Sequence, residues 1–317
     1  MLAWLARRAI SGVLVLAVVA SVAFLLTFVA PADPARSIAG PNASAAAVER
    51  IRIALGLDRP ALDQLAAWFG GLLQGDLGVS YQLGGVRVLD LILARLLPTV
   101  ELALAGLAIA LAIGVPLGVL AATRPGSALD RISAVAGSLL VAVPGFLLGI
   151  LLLYLLAYQW RIFPLASTTY DPLDLRALAL PALTLGLVSM PFYLRVARAT
   201  TLDELGRDYV RTARAKGLDE RQVTWRHAFR NAMSPIVTLA GLDLGFMLGG
   251  VVVIEAVFGW PGIGAQAVRA ISQEDLPVLM GTLLVGTLCI VLASLVVDLV
   301  HVLIDPRVTL DGTPEAR

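Results

Sequence analysis

LALAGLAIALAIGVPLGVLAA, residues 102–122, runs for 21 residues without a charge. A bilayer core about 30 Å thick takes about 20 apolar residues in an α-helix. Backbone polar groups in hydrocarbon must bond to one another, so a crossing segment of this kind is helical. Five more stretches read the same way: 9–30, 132–158, 177–194, 232–254 and 276–297, of which only 232–254 is interrupted by a charge, Asp243. The competing reading is buried helices of a large soluble protein, but soluble helices of this length carry a charged face. The pattern predicts an all-α membrane protein with six transmembrane helices.

The composition agrees. Of 317 residues, 58% belong to the AVILMFWYC set and 15% are charged, and the mean hydropathy is +0.86. These values exclude a disordered chain, a nucleic-acid-binding surface and most soluble enzymes. One cysteine, Cys289, excludes a disulfide scaffold, and two histidines, His227 and His301, argue against a His-rich metal site. Arg7 and Arg8 before the first stretch also fit a cleaved signal peptide, with Ala30 and Ala32 as cleavage-like residues. Its 22 apolar residues exceed the about 7–15 of a signal core, which favours a retained helix.

Six spans put both termini on one side. That side would carry fifteen of the 24 Lys and Arg, and six of the other nine lie in one long loop. Positive charge in short loops stays cytosolic, so both termini are predicted to be cytosolic. The expected organisation is 1–30 for the N-terminal end and first helix, 31–97 for an extracytoplasmic cap, 98–303 for a five-helix core and 304–317 for a cytosolic tail. In the cap, Ser44–Leu55 reads as an amphipathic helix with Val48, Ile51 and Leu55 on one face, ended by Gly56. Asp58-Arg59-Pro60 starts the next, with Pro60 in its first turn and Leu62, Leu65, Phe69 and Leu72 on one face of Ala61–Leu73. This insertion either folds as a cap or lies in the membrane interface.

Helix breakers sit inside the spans: Pro116 in the second, Pro144 and Gly145 in the third, Pro191 in the fourth. Each proline is expected to kink its helix. Gly241, Gly245 and Gly249 form a small-residue ridge, followed by Gly250 and, in the sixth span, Gly281 and Gly286. Such a ridge serves bundle packing, or a helix that tilts or rotates during transport.

The most informative segment is 195–233, RVARATTLDELGRDYVRTARAKGLDERQVTWRHAFRNAM. It is too long for a turn. Leu205-Gly206 suggests a break, Asp208–Lys216 a short helix, Gly217 its cap, and Asp219-Glu220 the start of the next helix. The knob would project Ala213, Ala215 and Gly217 among Arg211, Arg214 and Lys216, suited to insertion into a partner's groove. A solvated basic loop remains the plain alternative.

DYVRTARAKGL (208–218) followed by RHAFRNAMSPIVT (226–238) resembles the cytosolic loop of binding-protein-dependent ABC importer permeases. The chain is similar to the first permease subunit of the dipeptide/oligopeptide (and nickel) family. The likeness also rests on APADP (30–34), GLDRP (56–60), GDLGVS (75–80), LPTVELAL (97–104), GVPLGVLAA (114–122), VVVIEAVFGWPGIG (251–264) and VDLVHVLIDPRV (297–308), and so covers nearly the whole chain. The resemblance implies six helices pairing with a second permease subunit as a heterodimer. It implies a cytosolic coupling helix between helices four and five (Arg211, Thr212, Ala213, Arg214, Ala215, Lys216, Gly217) that docks into one of one or two ABC ATPase subunits. It also implies an extracytoplasmic substrate-binding protein, peptide cargo, and a multi-pass place in the lipid of the bacterial cytoplasmic (inner) membrane. The wider ABC-permease pattern has Glu-Ala-Ala where this chain has Arg211-Thr212-Ala213, a departure usual in the peptide branch. Asp243 stands where that branch more often has an uncharged residue.

Lys216 is the only lysine and is followed by Gly217. The sequence therefore has no G-x-x-x-x-G-K-[ST] loop to cradle a phosphate. No cofactor is expected in this chain, ATP and Mg belonging to the ATPase, and the chain itself is not expected to be an enzyme or to bind nucleic acid. Asp243, Met247, Pro144 and Phe146 are the pathway candidates; intramembrane acids are functional candidates by default. Asp243 either faces the pathway, meeting a peptide amine or a base of the sister permease, or is a protonated, hydrogen-bonded acid of the bundle. Glu255, Trp260, Pro261 and Gly262 are candidates for structure or gating: Glu255 is hydrated near the end of its span or bonds the Trp260–Gly262 turn, and Trp260 suits the interface belt. Glu101 fits a first helical turn, and Asp298 and Asp305 flank the inner exit with Arg307 as a partner. Nickel chelates and glutathione remain as alternative cargoes. A stand-alone secondary transporter or channel is the alternative of another class, though no internal repeat supports it.

Overall fold

A computed structural model describes residues 2–29, 33–40, 42–165, 170–172, 174–248 and 251–304, with side chains of 2–5, 26–29, 37 and 297–304 excepted. Among the described residues the regular structure is helical, apart from one isolated antiparallel bridge between Val79 and Arg87. Among the described residues, five helices are long and apolar enough to cross a membrane, six if one bent pair counts as a span. The chain divides into two compact units, residues 1–99 with 261–291 and residues 100–260 with 292–317.

In the first unit, helix α1 (Leu2–Val29) leads into α2 (Pro34–Ala39), α3 (Ala45–Ala54) and α4 (Ala61–Leu73). The Asp33 and Ser44 side chains cap α2 and α3 by accepting backbone N–H bonds. Gly56 takes φ +66°, the left-handed value that ends α3. Pro60 is the N-cap of α4 rather than a first-turn residue. The inward face of α4 also differs from the expected one. Leu65 and Trp68 pack with Ala23, Phe24 and Met280, while Leu62 is 78% exposed.

Helix α5 (Val88–Thr123) starts ten residues before the expected boundary at 98, because Val88 and Ile92 are fully buried against Ile263, Ala270 and Val278. Glu101 therefore lies in mid-helix, not in a first turn. The stretch between the fifth and sixth expected spans contains α13 (Ile263–Ser272), followed by α14 (Leu276–Ile304). Buried Asp275, between them, accepts from the Ser80 hydroxyl and from the N–H groups of Tyr81 (3.2 Å) and Gln82 (3.4 Å), pinning the 80–83 turn.

In the second unit the expected third span is broken. Helix α6 (Ala128–Ala142) and α7 (Gly145–Leu152), prolonged by a π-helical segment (Leu153–Gln159), meet at 101°. Pro144 has no N–H and drives Val143 out of the helical region, to φ −86° and ψ 122°. By contrast, α5 and α8 (Leu175–Leu205) continue unbroken through Pro116 and through Pro181 and Pro191. Helix α8 also runs eleven residues past the expected end of its span at 194. It lies very close to α5. A Cβ on Gly114 would stand 2.6 Å from the Met190 carbonyl oxygen, and one on Gly186 would stand 2.6 Å from the Ile109 side chain. Glycine here lets two backbones approach.

Helices α9 (Asp208–Ala215), α10 (Glu220–Gln222), a π-helical turn (Val223–Ala228) and α11 (Phe229–Leu248) follow, then α12 (Val252–Phe258). The expected fifth span through residue 254 thus ends at Leu248. The Gly241 and Gly245 part of the ridge lies on α11, whereas Gly249 and Gly250 lie outside the described residues. So do Ala30, Ala32, Asp305, Arg307 and the Asp298 side chain, with the expectations placed on them.

Candidate functional site

The segment from Leu205 to Glu220 forms a small, closed hook. After Gly206 caps α8, α9 carries Val210 and Ala213 inward against Val223 and Ala228, with Leu205 and Leu218 beside them. Gly217, at φ +77°, donates to the Arg214 carbonyl (2.9 Å) and Leu218 donates to that of Ala213 (3.4 Å). This reciprocal pair satisfies the last carbonyls of the helix and turns the chain back sharply. Asp219 caps the next helix by accepting from the Arg221 N–H. The Arg214 guanidinium grips Glu220 through two bonds of 2.7 and 3.2 Å, and the Tyr209 hydroxyl donates to Glu204 at 2.6 Å. Burial and that carboxylate raise the Tyr209 phenol above its ordinary pKa. Arg211 pairs with Asp208 (3.3 Å).

Thr212, Ala215, Lys216 and Gly217 are thus left exposed on a base that is stapled from both sides. Ala213 corrects the expectation: it is 6% exposed and packs inward instead of projecting. The alternation of Val210 and Ala213 with charged residues, at helical spacing, was the signal for that face.

Asp243, on α11, accepts from the Tyr193 hydroxyl of α8 at 2.9 Å. It lies with Met247 on the wall of a cavity of about 380 Å³, among Val188, Phe192, Leu242 and Phe246. Pro144 and Phe146 are exposed and do not line this cavity. Tyr193 was not visible as a site residue, since nothing in its sequence neighbourhood says what faces it fifty residues on.

Glu255 is fully buried, which removes the hydrated reading, and its carbonyl accepts the Trp260 N–H at 2.8 Å. Trp260 is 3% exposed and meets the Tyr170 ring edge-on at 5.9 Å, so it is a core residue and not part of an interface belt. The left-handed residue of this turn is Gly259 (φ +63°), whereas Gly262 is extended and caps α13. Pro261 directly precedes it.

Asp130 and Arg198 form a further pair that sequence reading did not single out. Two bonds of 2.5 and 2.9 Å join them, and the Gly126 N–H donates to Asp130 at 2.8 Å. A larger cavity, about 710 Å³, lies in the first unit between Arg52, Arg59, Trp68, Asp76 and Tyr81. Arg52 on its wall is already engaged by Asp33.

Apolar crossing helices, a broken span and a stapled projecting hook define a polytopic helical transport subunit. The chain belongs to the family of binding-protein-dependent transport system inner membrane components. That family's model matches residues 114–310, and the model of its N-terminal part matches residues 1–103. The chain is 39% identical over 316 residues to a putative peptide permease protein of Brucella suis biovar 1, covering 97% of this chain and 99% of the relative. It is 35% identical to the oligopeptide transport system permease protein AppB of Bacillus subtilis and 36% identical to the glutathione transport system permease protein GsiC of Escherichia coli O6:H1, again over 97% and 99% of the two chains. The fold is also similar to a chain of the MetNI methionine ABC transporter in an inward-facing form, with TM-score 0.56, 17% identity, and 68% of this chain and 96% of that one covered. The protein is accordingly a non-catalytic, multi-pass component of the bacterial inner membrane.

Proposed function

We propose that the chain is one of two permease subunits of an ATP-driven peptide importer, and that the α9 hook is the handle by which a separate ATPase moves it. The termini and hook face the cytosol in this reading, in keeping with the excess of Lys and Arg in the segments on that side. A second permease completes the pathway, and an extracytoplasmic binding protein delivers the cargo. Closure of the ATPases would switch the pathway between inward-open and outward-open.

The observation that carries the reading is the hook's construction. Its base is packed and doubly ion-paired, and its tip from Ala215 to Gly217 is exposed, so a force on the tip passes to α8 and α11 instead of being absorbed by a loose loop. The curated relatives at 35–39% identity are named for peptide, oligopeptide and glutathione transport, which makes glutathione a second cargo to test.

The experiment is purification of the complete transporter with Ala215→Glu or Gly217→Asp in this chain. The expected result is loss of the co-purified ATPase with an unchanged yield of permease. Retained ATPase and peptide-stimulated hydrolysis in both variants would overturn the reading.

A further inference from the structure

Asp243 is half-buried, and no basic side chain pairs with it among the described residues. One carboxylate oxygen accepts from Tyr193, which is itself fully buried in the packing of α5 against α8. That bond orients the carboxylate, and no second partner for it is found among the described residues. Among the described residues the rest of the cavity wall is apolar except for Ser189, and Phe192, Leu242 and Phe246 on it are 48%, 59% and 77% exposed. An anion without a cation in such surroundings is costly, and a cation carrying an apolar group would satisfy both the charge and the walls.

We propose that this niche is a transit site for the free α-ammonium of a transported peptide, with Asp243 as its counter-ion and the apolar walls receiving the first side chain. The cavity, about 380 Å³, has room for one large aliphatic residue and its backbone. Tyr193 is a positioning residue: it does not touch the cargo and fixes the carboxylate that does. The inference rests on the peptide-importer reading and adds to it the chemical group that this subunit recognises.

The test uses the complete transporter in proteoliposomes, with labelled trileucine and its binding protein in saturating excess, so that capture outside the membrane does not limit. Asp243→Asn is expected to lower maximal uptake by roughly tenfold or more, as loss of one partner of a desolvated charge pair does. Subunit ratios stay as in the wild type, and Asp243→Glu recovers most of the uptake. Tyr193→Phe is expected to raise the half-saturating concentration by about tenfold with maximal uptake kept, the effect of one lost hydrogen bond to a charged group.

A second arm omits the binding protein. Leucinamide raises the melting temperature of the wild-type transporter but not of Asp243→Asn, and N-acetylleucinamide, which has no charge, raises neither. Unchanged uptake by Asp243→Asn, or equal shifts from the two probes, would overturn the proposal. Loss of the sister permease on purification of Asp243→Asn would also overturn it, since the missing cation would then belong to that subunit. If the wild-type assembly carries neither trileucine nor glutathione with ATP present, the importer reading itself fails. If it does and Asp243→Asn matches it, only the ammonium site fails.

Discussion

Replacing Gly114 by alanine tests the packing on which the Asp243 niche depends. A methyl group there would stand 2.6 Å from the Met190 carbonyl oxygen, 3.0 Å from the Tyr193 Cβ and 3.3 Å from the Leu194 nitrogen. Real Cβ contacts almost never fall under 3.0 Å, so α8 must retreat by about 0.4 Å or more. The obstacle is backbone, which has no rotamer to move into. Two effects oppose each other. Alanine in a helix gains about 1 kcal/mol over glycine, and forcing a methyl into a filled interface costs about 1–3 kcal/mol. The contact with a carbonyl puts Gly114→Ala at the upper end of that cost, for a net loss of about 1–2 kcal/mol. Gly137→Ala is the internal control. Its methyl would meet the Pro191 Cβ at 3.6 Å, ordinary contact, so only the helical gain remains.

The assay is unfolding of the purified transporter in detergent, followed by the loss of folded permease with temperature. Gly114→Ala should melt below the wild type and Gly137→Ala at or above it. Gly114→Ala should also reduce trileucine uptake, because the displaced residue, Tyr193, orients Asp243. Equal melting of the two variants would refute the close approach of α5 and α8, and with it the rigid placement of Tyr193.

Asp275→Ala should loosen the 80–83 turn, since it strands the Ser80 hydroxyl and two N–H groups, at a cost of about 2–3 kcal/mol; faster limited proteolysis at that turn would report it, and unchanged cleavage would count against the pinning. Arg198→Met and Asp130→Asn should be less harmful together than the sum of each alone, because each single change strands the partner's charge; strict additivity in a thermal-unfolding cycle would show that the pair does not couple.

Much of the fold was legible because a bilayer-crossing helix has to be long, apolar and self-bonded. Uncharged stretches of about 20 residues announce themselves without any knowledge of their neighbours. The hook was legible for a related reason: glycine at a left-handed cap and acids at a helix start are local requirements, whereas the inward face of Val210 and Ala213 escaped it. What failed was whatever depended on burial by distant residues. Val88 and Ile92 extend α5 because Ile263 and Val278 cover them. Trp260 reads as an interface residue until Tyr170 and the core around it are in place. Proline gave different outcomes at Pro144 and Pro191 from the same chemistry, a break in one helix and an unbroken run in the other.

Crossing segments, charge bias and the capped hook are properties of short windows, so the chain's own order of residues determined them. The pairing of Tyr193 with Asp243, of Arg198 with Asp130, and of Asp275 with the turn at 80 joins residues 50 to 195 positions apart. Only the packing of helices brings such groups within bonding distance. No local pattern records that proximity, because each partner taken alone is an ordinary polar residue whose role is defined by what the folded backbone sets against it.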